Sequence, residues 1–278
     1  DWSSDVCSSD LAWTTLREPR VLGPSTHLAL DFRRPDAEAP TLKDTINTLW
    51  GIATFRHLLL GFAVLTLFSQ GIAQWNAAFF MRSHGMTAGE VGTWFTVVYG
   101  VLGMAGTYLG GVWASRYAPC NERLQLSVAA AAYAMFGLVS MAIYLLPSPY
   151  LAISLSGVAA MGTFAVGGPF HAVIQALVPH RMRAMAVALL FFLGSLIGAG
   201  LGPLAVGMLS DVLRPELGDE SLRAALVALS PGYVWAAYHF WRARETVMAD
   251  LATAHVERRE RLSSLRSEEH TSELQSPI

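Results

Sequence analysis

Six stretches of this chain run for roughly a bilayer's thickness without one Asp, Glu, Lys or Arg: residues 58–81, 91–113, 124–146, 151–178, 184–210 and 224–241. A membrane-crossing helix needs about 20 apolar residues at about 1.5 Å each, so the first five suffice with some tilt and the sixth is marginal. Inside hydrocarbon every backbone polar group must find its partner within its own segment, which selects helices, since barrel strands would alternate over about 10 residues. The chain is therefore expected to be an all-α integral membrane protein of six transmembrane helices. With flanking turns included, these span 58–81, 91–113, 124–146, 151–178, 184–213 and 222–243. A mean hydropathy of +0.40 with only 14% charged residues agrees. It argues against a disordered chain, a disulfide scaffold and a nucleic-acid binder.

Both ends are read as foreign to this protein. RSEEHTSELQS, residues 266–276, back-translates without strain into a common sequencing-library adapter, and DWSSDVCSSDL, residues 1–11, into its reverse complement. Residues 1–11 and 266–278 are accordingly expected to be adapter translations, the alternative being two genuine polar tails. Setting them aside removes one cation (Arg266) from 19 and six acids from 21, and moves the formal net charge from -2 to +3. It also leaves Cys120 as the one remaining cysteine, so no internal disulfide is possible and neither a metal nor a cofactor is expected.

Lys and Arg in the connecting segments orient the spans. Fifteen (Arg17, Arg20, Arg33, Arg34, Lys43, Arg56, Arg116, Arg123, Arg181, Arg183, Arg242, Arg244, Arg258, Arg259 and Arg261) fall on the side of the termini, and three (Arg82, Arg214, Arg223) on the other. That distribution places both termini in the cytoplasm of a multi-pass cell-membrane protein. Residues 12–57 are read as a cytoplasmic linker, Pro-rich over 17–40. They include an amphipathic helix at 41–53 with Leu42, Ile46, Leu49, Trp50 and Ala53 on one face, lying on the membrane or serving as an ordinary linker helix. Residues 58–243 form the transmembrane domain, and 244–265 a charged, helical tail.

Local sequence then points to a family. GIAQWNAAFFMRSHGMTAGEVG (71–92), TYLGGVWASRYA (107–118), LVPHRMRAMAVAL (177–189) and GLGPLAVGMLSD (200–211) resemble the spinster-like branch of the major facilitator superfamily, from about residue 13 to 244. The resemblance implies half of a twelve-helix fold, two inverted three-helix repeats making one carboxyl-terminal six-helix unit. It also implies secondary transport by alternating access of a small or amphipathic, lipid-like solute, with the cargo held between this unit and a missing amino-terminal one. Membrane lipid, the solute and that second unit are the expected partners, and truncation by the adapters explains the missing unit. One departure stands in the inner-loop signature, Gly-x-x-small-Asp-Arg: it reads Gly111, Val112, Trp113, Ala114, Ser115, Arg116, with Ser115 where the family has Asp. That puts the usual gate-latching charge pair in doubt.

Thr66, Gln70 and Gln74, spaced by four with Trp75 adjoining, form a polar stripe on the first span that must face the bundle or a watery cavity. In the superfamily this helix and the fourth line the cargo cavity, so these residues with Thr96, Tyr99, His171 and Gln175 are the candidate substrate pathway. Interhelical bonding without cargo contact is the competing reading. No carboxylate lies centrally in any span, which leaves His171, four residues before Gln175, as the candidate proton relay or, alternatively, a packing group. Arg116, Arg181 and Arg183 are candidate inner-gate residues, or simple topology anchors. Gly100, Gly103, Gly106 and Gly110 in span two and Gly194, Gly198 and Gly202 in span five form helix-interface stripes. They are expected to face the second unit, contacts within this one being the alternative. Covalent catalysis is not expected, since neither His-Glu-x-x-His nor Gly-x-Ser-x-Gly occurs. A half-size protein that dimerises to rebuild a carrier is the remaining alternative, and a membrane-embedded enzyme the least favoured.

Overall fold

Thr41 opens the first helix of the computed structural model, which describes residues 41–118 and 121–275. The Pro-rich 17–40 stretch with its four arginines, Cys120, the whole segment 1–11 and residues 276–278 lie outside the described residues. Thr41 accepts a hydrogen bond from the Asp44 N–H, the capping arrangement its spacing suggests, and α1 (Leu42–Gly51) follows. Leu49 and Thr45 turn into the core, whereas Leu42, Ile46 and Trp50 stay 56%, 38% and 51% exposed along the other side. The amphipathic face is thus split: one leucine holds α1 to the bundle, and a row at spacing four is left for an apolar surface.

The long apolar runs become helices whose ends are set by local chemistry. α2 (Ala53–His84) stops at Gly85, whose φ of 67° is a left-handed conformation that costs glycine nothing. Thr87 and Glu90 close a reciprocal capping box at the start of α3 (Ala88–Tyr117). Asn121 caps α4 (Glu122–Leu145), and Ser148 with Pro149 in the first turn starts α5 (Pro149–Leu177) after a tight turn.

The remaining chain is one helical stretch, Arg183–Ala254, with three interruptions. α6 (Arg183–Gly194) passes into a π segment (Ser195–Leu201) and then α7 (Gly202–Leu217). At Gly218, φ 54°, a short 3-10 turn reverses the chain. Ser210 and Ser221 then lie with their hydroxyls 3.3 Å apart, where a straight helix would hold them about 16 Å apart. α8 (Ser221–Leu229) returns, bends at Ser230 and Pro231, and continues as α9 (Gly232–Gln275). The run at 222–243 is therefore not one straight helix. Pro231 has no N–H to give the preceding turn, and Ser230 occupies the bend by donating to Ser140 and to the Leu226 carbonyl. α9 continues as helix through Leu265 into the residues read as adapter.

Among the described residues five helices or helical stretches are long and apolar enough to cross a membrane. Two buried clusters fill the bundle: Phe55, Leu58, Leu126, Phe170, Ile174 and Phe240 toward the start of α2, and Ile72, Phe79, Phe80, Ile153, Leu222 and Tyr233 toward its end. In lipid such burial gains little from hydrophobicity, because the solvent is as apolar as the core. Close packing and polar contacts between helices must hold the bundle instead.

The glycines supply that closeness. A Cβ on Gly110 would stand 2.0 Å from the Ala165 carbonyl oxygen, one on Gly106 2.3 Å from that of Met161, and Gly103 packs on Phe164, all on α5. Pro169 explains part of this: lacking an N–H, it leaves the Ala165 carbonyl four residues back without its helical donor, and Gly110 lets α3 settle against it. Gly194, Gly198 and Gly202 meet Phe62, Thr66 and Leu67 of α2 in the same way. Only Gly100 of the seven has open space around its α-carbon. Six of these glycines are thus used by contacts within this unit, the alternative that the sequence reading left open.

Candidate functional site

The stripe on α2 divides on folding. Gln70 and Gln74 stand exposed on α2. Thr66 turns back, its hydroxyl donating to the Phe62 and Ala63 carbonyls at 2.9 and 3.0 Å while its side chain packs on Gly198. Trp75 donates its indole N–H to the Pro203 carbonyl at 2.9 Å, at the end of the π segment. Trp75 thereby ties the first turn of α7, just after the π segment, to the first span. Next to it, Asn76 accepts a 2.6 Å bond from the Tyr144 hydroxyl of α4. Two glutamines thus stand exposed, Trp75 and Asn76 bond to other helices, and Thr66 bonds within its own.

Thr96 is exposed, its hydroxyl donating to the Gly92 carbonyl of its own helix. Tyr99, half-buried, stands at one end of an open, mostly apolar hollow of about 600 Å³ between α3 and α5, shared with Gly103, Met104, Thr107, Tyr108 and Phe164. Met104, Thr107, Tyr108 and Phe164 were not singled out by the sequence, although Thr107, eight residues after Tyr99 and a little over two helical turns on, signalled a shared face. Tyr108 and Met104 are among the most exposed apolar side chains of the described residues.

His171 does not join the stripe. Its Nδ1 donates to the Gly167 carbonyl at 2.8 Å, and its ring stacks on Phe191 of α6 and meets Phe170 edge-on. Nε2 is shielded from solvent without a partner, and Gln175 one turn on is exposed. The histidine sits in an aromatic seam between two helices.

Of the gate candidates, Arg116 is exposed and lies over the neighbouring Tyr117 ring, with Ser115 bonded to the Val112 carbonyl. Arg183 donates from Nε to the Val178 carbonyl, closing the end of α5, and Arg181 stands exposed in the 3-10 turn before α6. Among the described residues no group of three or more His, Cys, Asp or Glu could hold a metal ion.

Two contacts had no signal in the sequence, because their partners lie some 190 positions apart. Asp250 of α9 accepts from the Thr54 N–H at 2.8 Å, and Thr54 and Thr246 share a 2.7 Å hydroxyl bond. α2, preceded by Ile52 with no side chain to cap it, is thereby capped from the far end of the chain. Beside this contact, His57 of α2 and His239 of α9 face each other with their Nδ1 atoms 3.4 Å apart.

Residues 11–203 match the family model of the Major Facilitator Superfamily. An MFS-type efflux pump of Mycolicibacterium smegmatis is 29% identical over 245 residues, which are 83% of this chain and 55% of that protein. The crystal structure of a bacterial homolog to the human lysosomal transporter Spinster, inward-facing and unoccupied, superposes with a TM-score of 0.65 at 26% identity, over 87% of this chain and 57% of that one. The same description in an inward-facing, occupied state gives 0.59 at 28% identity, over 71% and 50%. The chain spans about half the length of the relatives it matches.

Proposed function

Because the chain belongs to the Major Facilitator Superfamily, whose members are transporters and not enzymes, we propose that it is a six-span unit of a spinster-like secondary carrier. Multi-pass membrane insertion follows from the family and the apolar helices. In this reading the unit pairs with a second one, the cargo lies between them, and a small or amphipathic, lipid-like solute crosses by alternating access. The observation that carries it is the pair Gln70 and Gln74, exposed amides with nothing to receive them if they faced hydrocarbon. The open hollow beside Tyr99 and Tyr108 offers an apolar surface suited to the hydrocarbon part of an amphiphile. The efflux pump relative supports export as the direction.

The test is transport by the complete gene product in a strain lacking its own efflux pumps, read with a fluorescent amphiphile. Replacing both Gln70 and Gln74 by Ala is expected to lower efflux about tenfold, the cost of one or two lost polar contacts in a solute site, at unchanged protein level in the membrane. Unchanged efflux would remove the stripe from the pathway and leave the glutamines as bonds to a second unit. Resequencing the locus through both junctions decides between a second unit in the same reading frame and a half-size chain that dimerises.

Orientation has its own measurement. We place both termini in the cytoplasm of the cell membrane, which puts Ser148, in the turn before α5, outside. A cysteine at position 148 should react with an impermeant maleimide added to intact cells, and labelling only after the cells are opened would invert the topology.

A further inference from the structure

The seam between the start of α2 and the middle of α9 carries a feature that transport does not require. His57 and His239 approach through their Nδ1 atoms at 3.4 Å, rings tilted by 40°. Such a contact needs one N–H and one lone pair, so the two rings hold at most one extra proton between them. Arg56 precedes His57, Arg242 lies three residues beyond His239, and both are exposed. The charged groups that bear on the pair are these two arginines and Glu245, which is bonded to Arg242 at 2.6 Å. Cations and donors outnumber the single acid.

The apolar groups lie consistently on the other side of the pair. α2 runs away from this end of the bundle and α9 toward it, so Leu60, three residues after His57, and Trp235 and Tyr238, before His239, sit deeper in the bundle than the arginines. Trp235 and Tyr238 are 54% and 55% exposed, and both rings border His239. The surface is therefore cationic at its edge and aromatic and aliphatic one turn further in. Two arginines repel a divalent cation, which excludes a metal bound between the histidines.

We infer that this seam binds an anionic phospholipid, its phosphate against Arg56, Arg242 and the histidine pair and its acyl chains over Leu60 and Trp235. The inference rests on these helices crossing a bilayer and is independent of what is transported.

The full chain, reconstituted in phosphatidylcholine vesicles with phosphatidylglycerol as the minor lipid, provides the test. Either lipid is supplied with brominated acyl chains, which quench a tryptophan they touch, and the signal lost on Trp235→Phe isolates Trp235. Both leaflets carry the lipid, so the result does not depend on topology, and no transport is read, so a failure here leaves the carrier reading standing. Brominated phosphatidylglycerol should quench Trp235 beyond its share of the vesicle. Arg56→Gln and Arg242→Gln should each cut that excess about fivefold, the worth of one cation near an anionic surface, and Arg56→Lys should keep it. Both arginines are exposed, so these variants keep the core intact. Equal quenching by the two lipids, or an excess that survives both glutamine variants, overturns the proposal. Absence of quenching by either means that protein covers the seam, and loss of the excess on adding inorganic phosphate makes it a site for the free anion; each also overturns it.

Discussion

Gly110→Ala is expected to break the seam between α3 and α5 and to leave little folded protein after detergent extraction. Its added methyl would lie 2.0 Å from the Ala165 oxygen and 2.5 Å from the carbonyl carbon and the α-carbon of the same residue, all backbone atoms that no rotamer change can move aside. The helices must separate along their length, losing the close contact at Gly106 and Gly103 as well. Overpacking a well-filled interior costs about 1–3 kcal/mol and sometimes more, and α3 has little else to hold it in lipid. Gly100→Ala, on the same helix with nothing within 4 Å, is the matched control and should behave as the parent. Thermal unfolding of the two variants in one detergent decides the matter. Equal stability would mean that α3 and α5 are not packed through these glycines.

Asp250→Ala should lower stability by about 2 kcal/mol, the value of a hydrogen bond to a charged group together with the positive end of the α2 dipole. The Thr54 N–H it leaves is fully buried, has no other cap and would stay unpaired. Asp250→Asn preserves an acceptor oxygen and should recover roughly half of the loss. Hydrogen exchange at the first turn of α2 separates this cause from a general loosening: protection should fall there and hold at the α3–α5 seam. A uniform loss of protection, or none, would contradict the trans-cap.

How much of this was readable beforehand follows from the range over which each property is decided. Hydropathy is a property of neighbouring residues, so the apolar runs and the amphipathic row on α1 could be read directly. The reading by hydropathy alone took the last run as one helix, although Pro231 within it marks a bend, and it had no signal for the π segment at 195–201. What the bend and the π segment do in the bundle, a Ser230 bond to Ser140 and a Trp75 bond to Pro203 just beyond the π segment, lies between helices and is not written in the local run. At the candidate site the stripe on α2 was visible as spacing, but its division was not. Gln70 and Gln74 differ from Thr66 and Trp75 only in what stands opposite them.

The sequence by itself determined that the chain is helical and made for lipid, which motifs tie it to a family of carriers, and where small or polar residues break an apolar face. It did so because helix formation in hydrocarbon is settled within each segment by backbone bonds that look no further than four residues. Only the tertiary structure decided the partners. A glycine stripe says that some helix comes close without saying which, and here it was α5 and α2 of the same unit. Thr54 and Asp250, or His57 and His239, meet because three-dimensional packing closes the two ends of the bundle, and no local pattern encodes a contact across almost two hundred positions.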